Sequence, residues 1–184
     1  YGNSNNLYVQ NYQNPAGGPA IVGVALSGVN LDLEPEEATT WTVGMDWDAS
    51  DTLRLSLTYF DVNYERQVEA YLSNLALLSR EADFAGTGII LRGTAARDRV
   101  LQEIANGLVT VGTYPGGDPN NVTLFVDGRN QNLGVSNTRG IDLQASWRLA
   151  TQEAGNFTFT LSASYLTHYE VAITAAAPLV DRLD

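Results

Sequence analysis

In "NLDLEPEEATTWTVGMDW", Asn30 to Trp47, an acid-rich turn leads into a stretch where Trp41, Val43, Met45 and Trp47 alternate with Thr40, Thr42, Gly44 and Asp46. A period of two marks a β-strand, whose successive side chains point to opposite faces. An apolar face that carries no charge must be covered by something apolar. This alternation therefore limits the possible folds more than any other feature of the chain.

Three further stretches repeat it. In "TLRLSLTYFDVNY", Leu53, Leu55, Leu57 and Tyr59 oppose Arg54, Ser56 and Thr58, after which the phase slips and Phe60, Val62 and Tyr64 become the large residues. The slip predicts a bulge or the end of a uniform environment. "GIDLQASWRLA" sets Ile141, Leu143, Ala145, Trp147 and Leu149 against Asp142, Gln144, Ser146 and Arg148. "FTFTLSASY" sets Phe157, Phe159, Leu161, Ala163 and Tyr165 against Thr158, Thr160, Ser162 and Ser164.

The connections alternate in length. "DASD" (Asp48 to Asp51) and "ATQEAGN" (Ala150 to Asn156) read as short hairpin turns, whereas 65–130 is a long insertion. Strands running up and down would put both short turns at one end and the insertion at the other. The insertion is expected to hold one helix near 95–106, capped by Thr94, striped by Val100, Leu101 and Ile104, and closed by Gly107 in the left-handed conformation. "YPGGDPNN" (Tyr114 to Asn121) reads as a turning segment, and "AIVGVALSG" (Ala20 to Gly28) as a short strand. The opening 19 residues, rich in Asn, Gly and Pro, read mostly as loop.

Composition removes several functions. The chain has no cysteine and one histidine, His168, so disulfides, thiolate metal sites and a histidine metal cluster are out of reach. Ten basic against 21 acidic residues give a formal charge of −11, which repels phosphate backbones and argues against nucleic acid as a partner. No run of about 18 apolar residues offers a transmembrane helix. That observation is silent on strands that cross a membrane.

Period two alone does not choose between a soluble sandwich and a membrane barrel. Aromatic placement favours the barrel: Trp47, Trp147 and Phe157 sit beside the short turns, and Tyr59 and Tyr165 near the far strand ends, as two interfacial girdles would require. Phe157 to Tyr165 is eight residue steps. At roughly 3.3 Å per step and a tilt of about 40°, that spans on the order of 20 Å, close to the apolar band of an outer-membrane barrel.

These residues also resemble a family. "NLDLEPEEATTWTVGMDW" and "LRLSLTYFDVNYERQV" look like the Asn-x-x-Leu-x-Pro-Glu turn and the strands after it in TonB-dependent outer-membrane receptors. "GRNQNLGVSNTRGIDLQASWRLATQEAGNFTFTLSASYLTHYE" is similar to the Asn-Leu-Gly and Gly-(Ile/Val)-(Glu/Asp)-Leu strand pair of the same barrels. The resemblance implies an all-β fold: antiparallel strands of a transmembrane β-barrel with a long extracellular loop containing one short helix. Residues 1–184 would be part of the carboxy-terminal half of that barrel, without the plug domain. The implied function is active uptake of a scarce solute such as a siderophore, cobalamin or a saccharide. The implied partners are outer-membrane lipid, the solute, the plug of the same parent chain and, through it, TonB.

On this reading Trp41, Val43, Met45, Trp47, Leu53, Leu55, Leu57, Tyr59, Ile141, Leu143, Trp147, Leu149, Phe157, Phe159, Leu161 and Tyr165 face lipid, and Arg54, Asp142, Gln144 and Arg148 face the lumen. No catalytic residue, metal ligand or cofactor is expected. Asp46, Asp48 and Asp51 lack the glycine and distal glutamate of a calcium loop and read as turn residues. His168 with Glu170 has no nucleophile at a recognisable spacing. "VDGRNQN" (Val126 to Asn132) offers polar groups suited to sugar hydroxyls, and equally suited to a turn. The runner-up is a soluble all-β ligand- or carbohydrate-binding module; a hydrolase domain stands third. Produced alone, the piece would bury its apolar faces by collapse or self-association.

Overall fold

The computed structural model describes residues 5–183. In chain order the elements are β1 (Asn6–Tyr12), β2 (Ile21–Ser27), β3 (Glu37–Ser50), β4 (Leu53–Ala70), β5 (Ile90–Arg92), α1 (Gly93–Ala105), β6 (Val109–Val111), β7 (Leu124–Asp127), β8 (Asn130–Thr151), β9 (Gly155–Ala172) and β10 (Val180–Asp181). Short 3-10 turns occupy Leu77–Phe84, Pro115–Gly117 and Pro119–Asn121. No helix among the described residues is long and apolar enough to cross a membrane.

The chain divides into two compact units. One gathers Tyr1–Pro35, Arg66–Gly134 and Ile173–Pro178; the other gathers Glu36–Glu65, Val135–Ala172 and Leu179–Asp184. We call them the mixed unit and the sheet unit.

The mixed unit is built on a five-stranded sheet of order β5-β7-β2-β1-β6. β1/β2 and β5/β7 are antiparallel, whereas β1/β6 and β2/β7 are parallel. Both sheet faces are covered. On one, Leu7, Val24, Leu26, Val122 and Phe125 meet Ala96 and Val100 of α1; on the other, Tyr12, Leu124 and Val126 meet Tyr71, Leu77, Leu78, Phe84 and Ile89. Burial on two faces explains why β2 and β7 read as continuous apolar runs rather than alternating ones.

Two local expectations need amending. Among the described residues the opening segment is loop only outside Asn6–Tyr12, which pairs with β2 in full register, its Asn-rich flanks having hidden Leu7, Val9 and Tyr12. Thr94 does not cap α1, because the helix starts at Gly93 after an extended Arg92 and has no side-chain cap. The Gly93 amide donates instead to Thr123 O at 2.8 Å, a long-range bond with no local sequence signal. At the other end Gly107 is left-handed (φ 90). Its amide donates to Ile104 O and that of Leu108 to Glu103 O, a Schellman motif.

The sheet unit is a five-stranded sheet of order β10-β9-β8-β4-β3, with β3/β4, β8/β9 and β9/β10 antiparallel. It is open, with β3 and β10 at its edges. The two short turns, at Asp51–Thr52 and Gln152–Ala154, belong to neighbouring hairpins, and the Arg148 amide donates to Thr52 O at 2.8 Å. Register slips between Asp48 and Ser50 and between Arg139 and Gly140. In the β3/β4 ladder none falls at Tyr59/Phe60, so there the phase change in β4 marks a switch of the apolar face rather than a bulge.

Candidate functional site

Residues directly opposite in an antiparallel pair share a face. Val43, Met45 and Trp47 stand opposite Tyr59, Leu57 and Leu55; Ile141, Leu143, Ala145, Trp147 and Leu149 stand opposite Tyr165, Ala163, Leu161, Phe159 and Phe157. Trp41 packs its ring 5.6 Å from that of Tyr59, and Trp147 stacks on Phe159 at 5.6 Å. All three tryptophans of the chain are thus on this outward face.

The face is apolar and uncovered. Val43 and Met45 are each 63 % exposed, Leu161 59 % and Tyr165 70 %. Tyr59, Ile141, Leu53 and Leu55 are half-buried by their neighbours. In water such a surface carries a hydrophobic cost of roughly 25 cal/mol per Å².

Its upper boundary is an ion pair. Asp61 stands opposite Trp41, past Tyr59, and accepts from Arg139 Nε at 3.0 Å. Beyond it the same side of β9 carries His168, whose Nε2 lies 3.0 Å from Glu170 Oε2. The sequence signal for this boundary was present: counting by twos from Leu53 without a phase change puts Asp61 outward.

The reverse face is polar. Thr42, Asp46 and Asp48 stand opposite Phe60, Ser56 and Arg54, and Asp142, Gln144 and Arg148 opposite Ser164, Ser162 and Thr158. Arg54 Nε donates to Asp48 Oδ1 at 2.7 Å, and Ser164 Oγ donates to Asp142 Oδ1 at 2.7 Å. Arg54 and Gln144 line one hollow of about 500 Å³, and Arg54 and Arg148 another of about 550 Å³. Asp48 is engaged by Arg54, and no group of three or more His, Asp or Glu converges on a metal position among the described residues. Phe60, Val62 and Tyr64, opposite Thr42, Thr40 and Ala38, are large residues on this face, and the Phe60 ring is seated over Gly140, where an added Cβ would come within 2.5 Å of Phe60 Cζ.

The mixed unit holds the Val126–Asn132 stretch. Asp127 and Arg129 form a largely buried pair, Nη2 to Oδ2 2.6 Å, which raises the Arg129 guanidinium pKa above its already high ordinary value. Gln131 and Asn132 line a cleft of about 270 Å³ with Asn30, Asp32, Glu34 and Arg66. Burial raises the Tyr12 and Tyr71 hydroxyl pKa values, that of Tyr71 to about 12. The Glu81 carboxylate is held below its ordinary range by Arg92, whose Nε and Nη2 both donate to it, at 2.9 and 2.6 Å.

Comparison with known proteins adds one result. The family described as TonB dependent receptor-like, beta-barrel, matches residues 2–182, essentially the whole chain. Neither curated proteins nor solved structures give a match. The family is one of outer-membrane receptors and transporters rather than of enzymes. The alternating strands, the open sheet with one apolar face and the match along the chain agree, and the protein belongs to the TonB-dependent receptor-like β-barrel family.

Proposed function

We propose that this chain supplies neighbouring wall strands of an outer-membrane receptor that takes up a scarce solute with energy delivered through TonB. The apolar face from Trp41 to Tyr165 lies against lipid, and the face with Arg54, Asp142, Gln144 and Arg148 lines the lumen, beside the plug of the parent chain. Residues 65–130 are extracellular. The solute, a siderophore, cobalamin, a saccharide or a molecule of similar scarcity, binds from the extracellular side, and TonB then moves the plug; no covalent step is involved.

One observation supports this reading above the others. The sheet exposes its tryptophans, Met45 and leucines while turning Asp, Arg, Ser and Thr to the opposite side, the inverse of a soluble domain and the arrangement of a lipid-embedded wall.

Spin labels test it. The chain contains no cysteine, so single cysteines at Thr42, Val43, Gly44 and Met45 can be labelled in the receptor, provided its other segments are made cysteine-free, and read in liposomes. The expected result is high oxygen accessibility at Val43 and Met45 and low at Thr42 and Gly44. Equal exposure of all four to a water-soluble relaxant sinks the membrane assignment.

A further inference from the structure

Seven residues, Val29–Pro35, run through the mixed unit without joining a sheet. Buried or not, their backbone groups need partners. Side chains of asparagine supply them. Asn5 Oδ1 accepts from the Val29 amide at 2.9 Å and Asn30 Oδ1 from the Asp32 amide at 3.1 Å. Asn132, at the start of β8, does more: its Oδ1 accepts from the Glu34 amide at 2.8 Å, and its Nδ2 donates to Glu34 O at 2.8 Å. Such a two-way bond mimics one step of a β-ladder.

The same Nδ2 also donates to Arg66 O at 2.9 Å. Arg66 is the one non-glycine residue with positive φ (56) among the described residues. A left-handed arginine inside a strand is strained and persists only where its surroundings hold it. Among the contacts on this one are the Asn132 amide on its carbonyl and the Glu34 carboxylate on its guanidinium. Asn30 adds a brace, donating to Asn130 O at 3.0 Å and Gln131 Oε1 at 3.2 Å.

We propose that Asn132 is a latch that fastens the Val29–Pro35 strap to the left-handed Arg66, and that the strap opens as one piece when this amide is lost. The carboxamide is the chemistry required: one acceptor and two donors on a planar group, directed at an amide and two carbonyls. No other side chain of that size offers both. The inference rests on bonds within the mixed unit and does not depend on the transport reading.

Hydrogen exchange of the intact receptor tests it through Asn132→Ala and Asn132→Asp. Asn132→Ala is expected to speed exchange at the strap amides of Val29, Asp32 and Glu34 by about tenfold or more, while amides of α1 around Val100 keep their rates. Asn132→Asp keeps the acceptor and loses both donors, so the Glu34 amide should stay slower than in Asn132→Ala. The latch is wrong if the strap exchanges at its original rate in Asn132→Ala, or if α1 accelerates equally, which would make Asn132 a general stabiliser. It is also wrong if Asn132→Asp frees the Glu34 amide as much as Asn132→Ala does.

Discussion

The mixed unit and the sheet unit bury their apolar residues by opposite rules. In the first, Leu7, Val24, Val100 and Leu124 are wholly inaccessible between a sheet and the segments on either side. In the second, the largest apolar side chains point outward and the hydroxyls and charges point to the other side. One sequence therefore encodes two solvents. The mixed unit makes its own apolar phase, and on the proposed reading the sheet unit takes its apolar phase from the bilayer.

The sharpest way to break this contrast is to remove a large side chain from each unit. Phe125→Ala, at 1 % exposure and under Arg99, should cost the mixed unit about 3–5 kcal/mol, read as lost protection in β2 and β7. Phe159→Ala on the open face should cost clearly less, because lipid closes the gap; equal losses would mean that this face is packed by protein.

A charge tests the other solvent. Val43→Arg should lower stability in bilayers by about 2–4 kcal/mol, while Thr42→Arg on the reverse face stays within about 0.5 kcal/mol. Denaturant titration of the receptor in liposomes measures both. A small effect at Val43 would place the apolar band elsewhere.

Gly140→Ala probes packing on the polar face. Its Cβ would stand 2.5 Å from Phe60 Cζ and 2.8 Å from the Tyr165 carbonyl. A loss of about 1–3 kcal/mol in the sheet unit is expected, of which Phe60→Leu in the same chain recovers only part, since the carbonyl is backbone. Full recovery would show the ring to be the whole obstacle.

The smallest effect is acid sensitivity of the mixed unit. Arg92 holds the Glu81 pKa down, so this pair stabilises the unit above the ordinary glutamate value of about 4.3 and ceases to do so as the pH falls through the depressed folded value. The pair is part-exposed and worth less than about 1 kcal/mol. Glu81→Gln should flatten the mixed unit's stability in that acid window and leave the sheet unit's pH profile unchanged.

The contrast also explains what could be read from the amino-acid order. The four long strands were legible because a charge-free face at period two admits few structures, and the register pairs Val43, Met45, Trp47 and their neighbours on one face as the alternation requires. Asp61 was hidden by the phase change at Phe60, which suggests that the polar face begins to move outward one residue too early. The mixed unit was mostly illegible. β2 pairs with β7, a hundred residues away, and β1 with β6 in parallel, neither of which leaves a local turn signature. Asn132 looked like a turn residue because asparagine is common in turns; its three bonds run to segments 66 and 98 residues distant.

Placing every tryptophan of the chain on the outward sheet face has a spectroscopic consequence. Indole emission from these residues reports on the wall strands alone, and the mixed unit, which buries Tyr12 and Tyr71 but no indole, is silent in that channel. On the proposed reading, a blue shift of that emission times the arrival of these strands in lipid with no contribution from the other core.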